Sequence, residues 1–333
     1  MNGIAVLTEM VAEKPLLNSI HGCYSLAAGV ATVTAGVLSS AGWSAVPVYS
    51  VASAVTVILS CIAYRGAYSH EDELYITNCH NEVHFSPDEP EAVVKTELSA
   101  GTPSTNGHDD ATAKEGGSNS SLLNAVFINF AAIGFLASFG EVSMTAWSVI
   151  YFQRCLNAST LKASIGFGTF MVATAIGRFS GDKLRELWGR RRLIRRCGVC
   201  LVLGFGVLLY SPSCADKETT GLIVGYCGSL LIGAGLSVLI PIVFSSAGHL
   251  PGVHAGSAIA AAAACTYTGS IVSPFFLGLC SQLLHSLREA YMIDAGLMCG
   301  VFVLSFMIPD EISKWFGVKG DETENLLGED REE

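Results

Sequence analysis

The sequence predicts an all-α membrane protein of about eight transmembrane helices, and three observations carry that prediction. Only 14% of the 333 residues are charged and the mean hydropathy is +0.47, whereas a soluble domain carries about a quarter charged residues. Uninterrupted apolar runs of about eighteen residues or more recur along the chain, each long enough at about 1.5 Å per residue to cross a hydrocarbon core of about 30 Å. The runs are continuous and rich in Gly, Ala and Ser, unlike the alternating segments of about ten residues that build a membrane β-barrel.

In chain order, hydropathy and charge place spans at 16–38, 45–64, 122–151, 163–181, 197–213, 220–246, 256–281 and 290–309. The stretch Thr219 to Leu287 is too long for one crossing, and the Pro and Gly residues of "GHLPGVHAG" divide it. Between the fourth and fifth spans stands "GRFSGDKLRELWGRRRLIRR", which holds eight of the nineteen Lys and Arg residues. Short cytoplasmic loops concentrate Lys and Arg, so this stretch is expected in the cytoplasm. Parity then places Lys14, Arg65, the Gly248–Gly256 loop and the C-terminus on the same side. Residues 66–121 contain eleven acidic and two basic residues and end in a Gly-, Ser- and Thr-rich tract, a composition that buries too little apolar surface to order itself. Four regions follow: 1–65 with two spans, an acidic cytoplasmic linker at 66–121, a six-span region at 122–310, and an acidic cytoplasmic tail at 311–333.

The net charge of −10 comes mainly from the linker and the tail, so nucleic acid is not an expected partner and the lipid bilayer is. Most of the eleven Cys lie in apolar runs, where they read as small buried side chains. Cys197-x-x-Cys200 has no second Cys or His pair nearby, and neither a metal nor a cofactor is expected. Met1 to Lys14 lacks the basic start of a secretory signal, which leaves insertion to the spans themselves. With no HExxH, no paired intramembrane aspartates and no Ser/His pair at plausible depth, an enzyme is not expected.

"GRFSGDKLRELWGRRR" resembles the signature loop of the major facilitator superfamily, in which Gly, a short spacer, Asp and a basic residue precede Gly and further basic residues. Matching its second copy, between spans eight and nine, makes the eight spans five to twelve of that fold, and spans one to four have no counterpart. "EKPLLNSIHGCYSL" resembles the start of span five, "GEVSMTAWSVIYFQ" span seven, and "IPIVFSSAGHLPGVHAGSAIAA" the turn from span ten to eleven in a poorly characterised bacterial branch. Two departures stand out. The distance from Asp182 to Gly189 exceeds that of the commonest signature, and Ala146 replaces an acidic residue usual in that branch. The resemblance implies a gate in which Gly177 allows close helix approach and Asp182 pairs with Arg178 or Lys183, with Gly189 and Arg190 completing the motif.

Glu141 is the most informative single residue, because a carboxylate at the centre of a span costs about 2.5 to 3.5 kcal/mol on insertion scales. Steps of three and four connect Gly134, Ser138, Glu141, Thr145 and Ser148 into one small or polar stripe. That stripe is expected to face a water-filled cavity or a partner helix, with Glu141 either carrying a proton, hydrogen-bonding a solute, or bonding a neighbouring helix. Trp147 is a candidate stacking surface for a substrate ring, and Tyr151 reads equally as an interfacial aromatic. His21 opens the first span beside Asn18 and Tyr24 and reads as an interfacial histidine or a proton relay. Asp294 is expected near the outer end of the last span, paired with Arg288 or reaching toward water. Two functions stay open on the sequence. One is a secondary active transporter of a small polar solute by alternating access, driven by protons through Glu141. The other is a truncated or non-transporting membrane protein of the same lineage, in which missing N-terminal spans or a partner chain are needed.

Overall fold

The computed structural model describes residues 17–67, 116–214, 218–248 and 255–308. Most of the linker expected at 66–121 and the tail expected at 311–333 therefore lie outside the described residues. Every regular element among the described residues is helical: α1 (Leu17–Ser40), α2 (Ala45–Ala67), α3 (Gly116–Leu156), α4 (Thr160–Trp188), α5 (Arg190–Tyr210), α6 (Glu218–Leu236), α7 (Leu239–Gly248), α8 (Ala255–Leu283) and α9 (Leu287–Leu304), with short 3₁₀ turns at Ser211–Cys214 and Ser305–Met307. Among the described residues eight segments are long and apolar enough to cross a membrane, and each overlaps one of the eight spans read from the sequence. The sixth, Thr219–Gly248, is α6 and α7 taken together.

The chain divides into two compact units, Ser44–Gly116 and the remainder. In the smaller unit the described element is α2, an apolar helix whose Ser50 and Thr56 hydroxyls donate back to the Val46 and Ala52 carbonyls. Such back-bonding hides a hydroxyl that lipid would leave unsatisfied.

In the larger unit, α1 packs on α4, α4 on α6, α5 on α6 and α9, and α8 on α7 and α9. Spacing explains the first seam. Gly22, Gly29 and Gly36 recur every seven residues on α1, and a Cβ at each would press on Phe179, Met171 and Ser164 of α4 respectively. Small residues at a helical repeat let backbones approach closely, and this is how helices associate where lipid removes the hydrophobic drive. The helix ends also follow local sequence. Gly42, at φ 88, closes α1 in a Schellman motif, with the Trp43 and Gly42 N–H groups donating to the Leu38 and Ser39 carbonyls. Ser286 caps α9 by accepting from the Glu289 N–H. The break between α6 and α7 falls at Ser237–Val238, because Pro241 has no N–H to return to the Ser237 carbonyl.

The basic stretch is not a loop. Gly177 to Trp188 complete α4, Arg190 to Arg196 begin α5, and the reversal is confined to Gly189. The reason is that Lys, Arg, Glu and Leu are good helix formers, so charge alone does not end the helix. Gly189 adopts φ 71 and ψ 159, a backbone region that is essentially glycine's alone. Two of the arginines read from sequence as topology markers are seated on rings: the Arg196 guanidinium stacks 3.8 Å from the Trp188 ring centroid and that of Arg195 4.2 Å from Phe306. No atom stands within 4 Å of a Cβ added at Gly189. Gly189→Ala is therefore expected to lower stability by about 1 to 3 kcal/mol through backbone strain alone, read as a lower thermal midpoint of the detergent-solubilised chain.

Candidate functional site

Two residues singled out for different reasons meet in space. Arg178, expected to pair with Asp182 in the gating motif, donates from Nη2 to both carboxylate oxygens of Glu141, at 2.8 and 2.9 Å. Its Nη1 donates to Ser25 Oγ and to the His21 carbonyl oxygen at 3.3 Å. Arg178 is 4% exposed and Ser25 is fully buried, so three helices converge on one guanidinium. The physical reason for the Glu141 contact is burial. Arg178 is 4% exposed, one turn before Asp182 and Lys183 at the charged end of α4, and a cation so enclosed needs the countercharge that the carboxylate on α3 supplies.

The pair lines a cavity of about 280 Å³ with His21 and Tyr24 of α1, Ser138 of α3, Phe244 of α7 and Thr266, Tyr267 and Ser270 of α8. Helix α8 is drawn against α3 on one side of it. Ser138 and Ser270 share a hydrogen bond, and the Ser273 hydroxyl donates 2.8 Å to the Phe139 carbonyl. Gly134 allows Thr266 to come close, and Gly269 does the same for the Phe135 carbonyl. The cavity thus joins a compensated ion pair to hydroxyls and aromatic rings, a surface able to hydrogen-bond a polar solute.

Of the predicted pathway residues, Glu141, Ser138 and His21 line this cavity, and the others do not. Thr145 is exposed and donates to the Glu141 carbonyl; Ser148 is buried with its Oγ unpartnered. The Trp147 indole donates to the Pro274 carbonyl and packs against Gly278, so it belongs to the α3–α8 seam rather than to a stacking surface. Tyr151 is fully buried, donating 3.0 Å to the Leu208 carbonyl, and is not interfacial. Within the predicted gate, Gly177 faces Ser237, whose side chain a Cβ at 177 would strike. Asp182 and Arg190 are half-buried, while Lys183 is exposed. Asp294 departs furthest from expectation. It is completely buried against Ser143, and Arg288 instead donates to the Leu209 carbonyl and Ser213.

Ser25 and the α8 hydroxyls were absent from the sequence reading because Ser and Thr are common in every span. Arg178 carried a usable signal: a cation that closes an apolar run needs an anion, and Glu141 is the carboxylate within the preceding span.

The eight spans found among the described residues agree with comparison to known proteins. The Major Facilitator Superfamily profile matches residues 2–274. The chain belongs to the Major Facilitator Superfamily. As a member it is an integral, multi-pass membrane protein. It is 29% identical over 174 residues to "Membrane protein MosC" of Rhizobium meliloti, covering 52% of this chain and 41% of the relative. Over 176 residues it is 28% identical to an MFS-type transporter of Yersinia pestis whose name calls it uncharacterized, covering 53% and 43%. A transporter of Sinorhizobium fredii is 30% identical over 161 residues, covering 48% and 41%. In each case the match spans less than half of the relative's length. No solved structure gives a significant match.

Removing one partner of a buried ion pair strands the other charge, at a cost of about 3 to 5 kcal/mol. Glu141→Ala and Arg178→Ala are each expected to lower the thermal midpoint, and the double substitution to lower it less than the sum of the two. Strict additivity would show that the two side chains do not depend on each other.

Proposed function

We propose that this facilitator is a secondary active transporter of a small polar solute by alternating access, with proton coupling through Glu141. The observation that carries the reading is the Glu141–Arg178 pair lining a cavity rich in hydroxyl and aromatic groups. The relatives named as transporters support the same class.

The coupling follows from hydrogen-bond supply. With Glu141 ionised, Nη2 of Arg178 is occupied by both carboxylate oxygens. A proton on Glu141 removes its charge and weakens both bonds, and the guanidinium must then find another acceptor. A hydroxyl or carbonyl oxygen of a solute in the cavity satisfies that need, so proton uptake and solute binding favour each other. Loss of the proton restores the ion pair and displaces the solute. Ser138, Ser270 and the Tyr24 ring complete the contact surface, and His21 stands at the same cavity wall. The basic turn at Gly189 and the close Gly177–Ser237 contact provide the points at which α4 can shift against α5 and α6.

The test uses the full chain in proteoliposomes loaded with a pH-sensitive dye and challenged with a panel of sugars, polyols and amino acids. At least one solute is expected to drive an internal acidification that the Glu141→Gln variant reduces by tenfold or more, about 1.4 kcal/mol of lost coupling. Equal signals from the parent and the Gln variant would remove the proton-coupling role of Glu141. Silence across the whole panel in the parent would remove the transport reading for this chain.

A further inference from the structure

The second carboxyl in the core, Asp294 on α9, has no cation. It is completely buried, and no ion pair joins it to a Lys, Arg or His among the described residues. Its single hydrogen-bond partner is Ser143 on α3, whose Oγ lies 2.5 Å from Oδ2, while Oδ1 is buried without a partner. The surrounding titratable groups are Tyr291 on its own helix and, beyond that ring, Tyr151 and Cys155 of α3. All of these are uncharged near neutral pH. Arg288, two turns nearer the start of α9, has its guanidinium committed to the Leu209 carbonyl and Ser213.

The hydroxyl of Ser143 makes the decisive point. Its Oγ stands within hydrogen-bond reach of two acceptors, Asp294 Oδ2 and the Gly140 carbonyl at 3.1 Å, yet a serine has one hydrogen to donate. Two full hydrogen bonds at this oxygen need a second hydrogen, and a proton on Asp294 supplies it. We propose that Asp294 is a proton-binding site distinct from the Glu141–Arg178 pair, in which the protonated carboxyl donates to Ser143 Oγ and Ser143 donates to the Gly140 carbonyl. The step is a simple proton uptake: a proton from water forms the Oδ2–H bond, and the side chain passes from a charge of −1 to neutrality. A bare carboxylate at this place would have one donor and a second oxygen facing nothing, which the apolar surroundings make costly.

The site reads out through α3. With the proton bound, Ser143 returns its hydrogen to the backbone of the turn that begins at Gly140, next to Glu141. Without it, Ser143 turns its hydrogen to Asp294 and the Gly140 carbonyl loses that bond. Gly140 also lets Met298 of α9 approach closely, since a Cβ there would press on its sulfur. The occupancy of Asp294 thus bears on how α9 packs against the turn that precedes the ion pair.

The proposal is independent of any solute and is tested by infrared spectroscopy on the purified 333-residue chain in lipid nanodiscs at neutral pH. A protonated-carboxyl C=O stretch is expected in the parent, lost in Asp294→Asn and retained in Glu141→Gln. Identical carboxylic-acid regions in the parent and Asp294→Asn overturn it. Should Asp294→Asn fail to fold, as judged by gel filtration, Ser143→Ala carries the test. Removing the acceptor of the Asp294 O–H is expected to shift the band in frequency without abolishing it. A band unmoved by Ser143→Ala overturns the assignment equally.

Discussion

The larger unit is organised around one charge that cannot be left alone. Arg178 is buried where the apolar part of α4 ends, and an unpaired guanidinium there is unstable enough that the neighbouring helices must supply acceptors. Glu141 of α3 supplies the countercharge, while Ser25 and the His21 carbonyl of α1 accept from Nη1, and Nε is buried without a partner. The glycines of α1 at seven-residue spacing allow this helix to come close enough to α4 to do so. The orientation of α1, α3 and α4 about the cavity is thus tied to satisfying a single side chain.

Helix α3 is the element on which these ties converge. Along its length it meets α8 through Ser138, Phe139 and Trp147, α4 through Glu141, α9 through Ser143, and α5 through Tyr151. Two carboxyls along α3, its own half-buried Glu141 and the buried Asp294 of α9, differ in kind. Glu141 has a cation and borders a cavity, whereas Asp294 has a hydroxyl and lies in packed apolar surroundings. The same chemical group is therefore held in two electrostatic settings, Glu141 beside a guanidinium and Asp294 beside a hydroxyl.

Much of the architecture was legible because a membrane imposes a coarse code. An apolar run of sufficient length forms a helix wherever its backbone groups have no water to bond, so the eight spans follow from hydropathy alone. The signature stretch was legible as a family mark but not as helix, because charge density does not break a helix and only Gly189 does so here. Within the site, Glu141 stood out since few carboxylates occur at span centres. The polar stripe through it was only partly meaningful. Gly134 and Ser138 face α8, but Thr145 turns outward and Ser148 is buried without a partner, because neighbours surround α3 unevenly.

Sequence alone determined the class of the molecule, the number and order of its spans, and which residues carry charge where charge is costly. It did so because the transfer of each side chain into lipid depends on that side chain and its immediate run. Partnership was decided only by tertiary structure. Whether Arg178 answers Asp182, four residues along its own helix, or Glu141, thirty-seven residues away, depends on which helices stand side by side. Whether Asp294 reaches water or Ser143 depends on the rotation of α9. Both are consequences of how small residues let helices approach, and no local window of the sequence contains that information.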